Sequence, residues 1–508
     1  MTEKLFVCVG KFDERSSIWC MRLKSFFCIV LLICLSIPGL HANAKYTREQ
    51  NYTYDYWGNP VRSIPAYELE DIIDSTRTNG IEIAGVDDVF AGKDKIYLID
   101  TVESRLNVFD ESYSLVKSVK LIRDADGKII VNAENNKQLM LTNPEGVFVR
   151  EDEKEIYIAD TGAERIIVLD CDEYFLKRII ERPANLAGVT VFKPSKIVVD
   201  NAGRIFIVVQ GSYEGIIELN SDGSFSRYFG VNKPRVNVVD YFWKSIASDV
   251  QKEKMRKVYA PSFNNIDIDK EGFVYATTFD SAAIDKVFRL NAKGENVLIG
   301  AGTHKIIGDL DYGEDQQESM FVDIAVSDFG AYALLDKTRG RVFIYNFDGD
   351  LLNIFNRSGD IKGNVKEPSS IAWFGKKLII GDKKLGRAFI FKQTEFGEAA
   401  LGAAESYYHG RWDETAALLD KALKLNANYT AAYVGIGKNL LMQDEYEKAM
   451  YYLKLGNDRT YYSKAFNGYR NQIVQKYFAF FAVIVLIIIV YIVYSEYKYH
   501  KSMKAEGE

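Results

Sequence analysis

The chain has 508 residues and a formal net charge of -6; 26% of its residues are charged and 47% hydrophobic, with 37 Gly, 9 Pro and 5 Cys. This balance excludes collagen-like, disordered and disulfide-stapled classes. With no cluster of Lys and Arg to neutralise a phosphate backbone, it also excludes a dedicated nucleic-acid binder.

Residues 1–44 read as a leader. From Met21, Arg22 and Lys24 precede an apolar run, Phe26 to Ile37, and a small-residue site ends in Ala42-Asn43-Ala44. That order is a secretory signal, with cleavage expected after Ala44 and translation expected to start at Met21, a longer leader being the alternative. Cys8, Cys20, Cys28 and Cys34 all fall in this leader, so Cys171 would be left without an intramolecular disulfide partner. Cys28 and Cys34 follow the bulky Phe27 and Ile33, which argues against lipidation.

A repeat begins after residue 84. Its clearest unit runs Asn143-Pro144-Glu145-Gly146-Val147-Phe148-Val149, then Ile156-Tyr157-Ile158-Ala159-Asp160, then Arg165-Ile166-Ile167-Val168-Leu169. Each piece is a short apolar or alternating run between turn residues, the signature of a strand. The same order recurs around Asp88, Ser195, Asn265, Asp323 and Ser369. Six copies of about fifty residues predict a six-bladed β-propeller over 85–393, mainly β, in which no blade could bury its faces alone. The unit resembles the NHL-repeat family, with Asp100, Asp160, Asp280, Asp336 and Asp382 at a recurrent aspartate and Gln210 in its place in the third copy. Such aspartates are expected to bond the backbone of the following turn. The sixth copy shows only three strands, so the segment 45–84 is expected to donate the closing strand from within Tyr52 to Ile83. An amphipathic helical insert is expected at 236–257, with Val238, Tyr241, Phe242 and Ile246 on one face. It either packs on the rim or serves a partner.

After the propeller the period becomes helical. Trp412 and Tyr446, Thr415 and Ala449, and Leu419 and Leu453 each stand thirty-four residues apart. The spacing resembles two tetratricopeptide repeats, and 394–476 is expected to hold them with a connecting helix. Peptide binding and a plain stalk both remain open for this unit. Phe478 to Tyr494 is uncharged and long enough to span a bilayer, giving a transmembrane helix over 477–494 and a tail over 495–508. A cleaved signal followed by one stop-transfer helix predicts a single-pass protein of the cell membrane, with 45–476 outside the cytoplasm and the tail inside. A buried core helix is the alternative for this stretch.

Propellers collect ligands where the loops before the inner strands converge, and there the sequence places Asp87, Asp88, Glu145, Ser195, Asn264, Asn265, Asp323 and Ser369. Converging carboxylate and amide oxygens suit Ca²⁺. A likeness to gluconolactonase-like propellers implies Glu145, Asn264 and Asp323 as metal ligands of a hydrolase; a water-filled polar funnel is the alternative. Zinc-dependent amidating lyases need several histidines, and the propeller has only His304. No nucleophile elbow, phosphate-cradling loop or dinucleotide fingerprint occurs. The whole layout resembles bacterial membrane-anchored NHL and tetratricopeptide proteins, some placed with carbohydrate ABC transporters. It predicts a binding or scaffold protein engaging a protein or an envelope carbohydrate, with metal-dependent hydrolysis as the competing reading.

Overall fold

A blade's second strand must be apolar on both faces, because a neighbouring blade lies against each, whereas its outer strand meets water. Ile156 to Asp160 are all buried, while Leu176 to Ile179 are not. The computed structural model describes residues 51–505 apart from 56, 132–135, 187, 231–259, 281–282, 302–306 and 311–316. The leader and the insert at 236–257 lie outside the described residues, as does His304.

Three short strands come first: β1 (Tyr52–Tyr54), β2 (Pro60–Arg62) and β3 (Tyr67–Ile73). Blade 1 is β4 (Val86–Ala91), β5 (Lys95–Asp100), β6 (Arg105–Asp110) and β7 (Leu115–Val119). Blade 2 is β8 (Gly146–Arg150), β9 (Glu155–Asp160), β10 (Arg165–Asp170) and β11 (Leu176–Ile180). Blade 3 is β12 (Pro194–Val199), β13 (Ile205–Val209), β14 (Ile216–Leu219) and β15 (Phe225–Phe229). Blade 4 shows three strands among the described residues, β16 (Asn265–Ile268), β17 (Val274–Thr277) and β18 (Val287–Leu290). Blade 5 is β19 (Phe321–Val326), β20 (Tyr332–Asp336), β21 (Arg341–Tyr345) and β22 (Leu351–Phe355). Blade 6 is β23 (Pro368–Phe374), β24 (Lys377–Asp382) and β25 (Arg387–Gln393).

All pairing within blades is antiparallel, and the inner strands touch in a closed circuit, β4 to β8, β12, β16, β19, β23 and back to β4. This is a six-bladed propeller. Strand β3 completes blade 6 by pairing with β25, from Ile73 opposite Ala388 to Tyr67 opposite Gln393. Strand β1 adds to the outer edge of blade 5, with Tyr52 opposite Ile354, and β2 pairs with β1 beyond it. Separate apolar cores fill the gaps between blades. Ile99, Val108, Ile158 and Leu169 join blades 1 and 2, and Ile96, Phe109, Ile379 and Ile390 join blades 1 and 6.

Three of the recurrent aspartates bond the backbone on both sides of their turns, and Asp160 bonds the Thr142 N–H and the Arg165 side chain. Asp100 accepts the N–H groups of Ala84, Gly85 and Glu103, Asp336 those of Met320 and Thr338, and Asp382 those of Lys366, Glu367 and Leu385. The register corrects two positions. Val209, opposite Pro194, stands where Asp100 stands opposite Val86, so Gln210 is one residue beyond the repeat position. In blade 4 Thr277 pairs with Asn265 as Ile99 pairs with Asp88, which puts Thr278 at that position and Asp280 two residues further on.

Helices α1 (Glu395–Tyr408), α2 (Trp412–Leu425), α3 (Thr430–Met442), α4 (Tyr446–Leu455) and α5 (Arg459–Ala505) follow directly. Thr394 caps α1 by accepting the Gly397 N–H and ties it to the segment before β3 by donating to the Pro65 carbonyl at 2.6 Å. The core between blades 5 and 6 continues into this unit through Phe396, Ala399, Leu419 and Tyr429. The connecting helix, the apolar stretch and the tail form one uninterrupted helix, α5, with no break at residue 477 or 495. Among the described residues it is the one helix long and apolar enough to cross a membrane.

Candidate functional site: the propeller channel

The inner strands start with a bulge, and this irregularity sets which side chains meet at the axis. The register slips between Val86 and Asp88, Pro194 and Lys196, Phe321 and Asp323, and Pro368 and Ser370. In blades 2 and 4 the N–H groups of Glu145 and Asn264 reach the carbonyls of Ala159 and Thr277, residues already paired with Gly146 and Asn265. One layer of equivalent positions results: Asp88, Gly146, Lys196, Asn265, Asp323 and Ser370. Gly146 leaves room for its neighbour, since a Cβ there would lie 2.3 Å from the Ser195 carbonyl oxygen.

Lys196 dominates this layer. Its side chain is 13% exposed, and its ammonium bonds Asp88 two blades away. Asp323, on the next alternate blade, also acts on it: burial pulls the Lys196 pKa down, but Asp88 and then Asp323 outweigh burial and hold it above the usual lysine value. Burial pushes the Asp88 and Asp323 carboxyls above the usual carboxylate range, against the pull of Lys196. Blades 1, 3 and 5 thus meet through one buried cation and two carboxyls.

The same carboxyls join adjacent blades. Asp88 accepts the Val147 N–H at 2.8 Å, Asp267 the Val326 N–H at 2.7 Å and Asp323 the Ile371 N–H at 2.6 Å, in each case from the next inner strand. Asp267 is half-buried, and desolvation, with Asp269 and Asp88 nearby, pushes its carboxyl up to about 7.

The bulge residues form the mouth. Lys383 bonds Asp87 at 2.8 Å and Gln210 donates to Glu145 at 2.5 Å; burial first, then Asp87, raises the Glu145 carboxyl. Ser369 donates to the Val86 carbonyl at 2.6 Å, Ser195 to that of Val208 at 3.2 Å, and Asn264 to that of Phe321 at 2.9 Å. The sequence candidates therefore separate into two levels. Asp87, Glu145, Asn264 and Ser369 are partly exposed, whereas Asp88, Ser195, Asn265 and Asp323 are buried. Lys196, Asp267, Gln210 and Lys383 complete the site and were not among those candidates. The bulge between Pro194 and Lys196 turns the residue after Ser195 into the ring, a displacement visible only in the strand register.

Among the described residues no three His, Cys, Asp or Glu side chains gather as a metal-binding group. Of the trio expected to hold Ca²⁺, both Asp323 carboxyl oxygens accept backbone N–H groups and one Glu145 oxygen accepts from Gln210, whereas Asn264 donates its amide to the Phe321 carbonyl and leaves its Oδ1 buried without a hydrogen-bond partner.

No protein-family profile matches the chain, and no curated protein sequence matches it. Among solved structures it is similar to hydrazine synthase of Kuenenia stuttgartiensis, with a TM-score of 0.39 and 11% identity over 62% of this chain and 97% of that one. It is similar also to virginiamycin B lyase from Staphylococcus aureus, with a TM-score of 0.39 and 11% identity over 65% of this chain and all of that one. At these identities and scores the likenesses carry no function across.

Proposed function

We propose that the chain is a membrane-tethered binding or scaffold protein, a propeller head with helical hairpins held against it and one helix as its anchor. The observation that carries this reading is α5, which begins in the helical unit packed on the propeller and continues as an apolar span with none of its residues buried. An apolar helix of that length is costly in water and stable in a bilayer. The mouth residues Asp87, Glu145, Gln210 and Lys383 offer mixed charge and amides, which suits recognition of a protein loop or a carbohydrate. In the finer form of this reading the blades are NHL repeats, the hairpins are tetratricopeptide repeats and residues 21–44 are a secretory signal. The head then stands outside the cytoplasmic membrane of a bacterium, where it would serve a carbohydrate transporter. The competing reading, hydrolysis through Glu145, Asn264 and Asp323, is weakened by Asp323, both of whose carboxyl oxygens accept backbone N–H groups.

Cross-linking the full chain in intact membranes, followed by identification of what is attached, tests the reading. An envelope protein or glycan enriched over an unrelated anchored control is expected, with the yield falling when Asp87 and Glu145 are replaced together by Ala. Recovery of the chain alone would count against partner binding. Protease added to protoplasts should remove the head, and its protection would reverse the orientation.

A further inference from the structure

The helical hairpins do not lie flush on the propeller. Between them and blade 5 is a cavity of about 550 Å³, walled by β1 and the β21–β22 hairpin on one side and by α1, α3 and the start of α5 on the other. Protein interiors pack to crystal-like density, with few voids larger than a water molecule. Residue choice keeps this one open: α1 lines it with Ala400, Ala403 and Ala404, and α3 with Ala431 and Gly435. Its volume falls within the range of about 300–1,000 Å³ typical of ligand pockets, which favour junctions between domains.

The charged groups at its edge are engaged with one another. Lys438 lies 3.2 Å from Asp348 and 2.5 Å from Asp350, with a side chain 3% exposed. Burial pulls its pKa down, and the two carboxylates outweigh burial and keep it charged. Asp458 accepts the Tyr461 N–H at the start of α5, and Arg459 is engaged as well. The hydroxyls of Tyr54 and Tyr429 donate to Asp309 and to the Leu352 carbonyl. Tyr407 differs: it lines the cavity and packs edge-on against Trp412, and its hydroxyl has no hydrogen-bond partner among the described residues. Burial first, then Asp348, pushes that phenol up to about 12, so at neutral pH it is an uncharged donor. An anion entering here would meet a lysine already compensated twice, and a cation would have to take a carboxylate from it. Either would shed water without full compensation.

We propose that this cavity binds an uncharged, largely apolar molecule whose one polar group accepts a hydrogen bond from the Tyr407 hydroxyl. The acyl ester of a membrane lipid and a free hydrophobic ester share that chemistry. The site is separate from the channel mouth and stands whether or not a macromolecular partner is found there.

The test is photolabelling of the full chain with an alkyl diazirine bearing one ester carbonyl. The probe is offered once as a free methyl ester and once as an acyl chain of phosphatidylcholine in vesicles holding the protein, and labelled peptides are read by mass spectrometry. Label is expected in α1 and α3, with the apolar part of α5 as internal reference. Labelling of α1 and α3 from vesicles alone assigns a lipid, and from the free ester alone a soluble ligand; both support the site. Ala404→Phe, which fills the cavity, is expected to lower that label about tenfold against the reference. Tyr407→Phe, which keeps the volume, is expected to lower it about fivefold. Label confined to α5 from both sources, or label in α1 and α3 that neither substitution changes, overturns the proposal.

Discussion

A lysine at the centre of a propeller is stable only because two carboxyls from other blades share it. Lys196→Met keeps most of the volume but leaves Asp88 and Asp323 buried without a counter-charge. Breaking such a pair costs about 3–5 kcal/mol. The loss should appear at pH 8 in urea unfolding, with part of it restored by adding Asp88→Asn. A single substitution as stable as the parent would show that the ring does not depend on the ion pair. Asp267 makes a separate prediction. Burial raises its folded-state value to about 7, while the unfolded chain titrates near about 4. The folded form thus holds a proton that the unfolded form has lost, so this stability is complete below about pH 4 and is given up as pH rises to about 7. Asp267→Asn should therefore be more stable than the parent at pH 8, by about 1–3 kcal/mol, with the difference closing toward pH 4.5. A difference that does not change with pH would contradict the assignment. Asp88 and Asp323 could be singled out in the sequence because acidic residues near the start of an apolar inner strand stand out. Lys196 was not, because its partner is on another blade and a lone lysine in an apolar run reads as solvent-facing.

At the scale of elements, the ring is closed by strand β3 and braced by α1. Gly397 on α1 approaches the segment before β3 so closely that a Cβ would lie 2.0 Å from the Ala66 carbonyl oxygen. Gly397→Ala should push α1 off this segment and cost about 1–3 kcal/mol, the range for overpacking, although alanine favours a helix in isolation. Hydrogen exchange should show loss of protection at Thr394 and along β3. Unchanged protection would mean that the helix can shift without disturbing the closure. The missing fourth strand of the last repeat made a donated strand legible, because an unpaired blade edge is a liability. Strands β1 and β2 were not legible. They have three residues each, too few for a period, and a buried side-chain network fixes them: Tyr54 donates to Asp309 at 2.8 Å, and Arg341 binds Asp309 at 2.8 Å.

For the molecule as a whole, the proposed anchoring rests on α5. At about 1.5 Å per residue its 47 residues extend about 70 Å, far beyond the helical unit it leaves. A chain ending at residue 476 should move from the membrane pellet to the soluble fraction, while the full chain should resist carbonate extraction. Retention of the shortened form in the pellet would point to a second attachment. This apolar helix was the plainest feature of the sequence, since an uncharged apolar stretch long enough to span a bilayer seldom occurs in a water-soluble fold. The cavity between hairpins and blade 5 could not be read there, because Tyr54, Leu352, Tyr407 and Val434 come together only through packing between distant elements.

The N-terminal segment reaches both of the blades that carry the helical unit. Strand β1 adds to blade 5 and β3 completes blade 6, and the core between these blades is the one that runs on into α1, α2 and α3. A pull on the head through α5 would therefore enter the ring at these two blades. The β3–β25 pairing that closes the circle lies directly in its path, while blades 1 to 4 stand aside from the load. Under tension the ring should give way first where its two ends are joined.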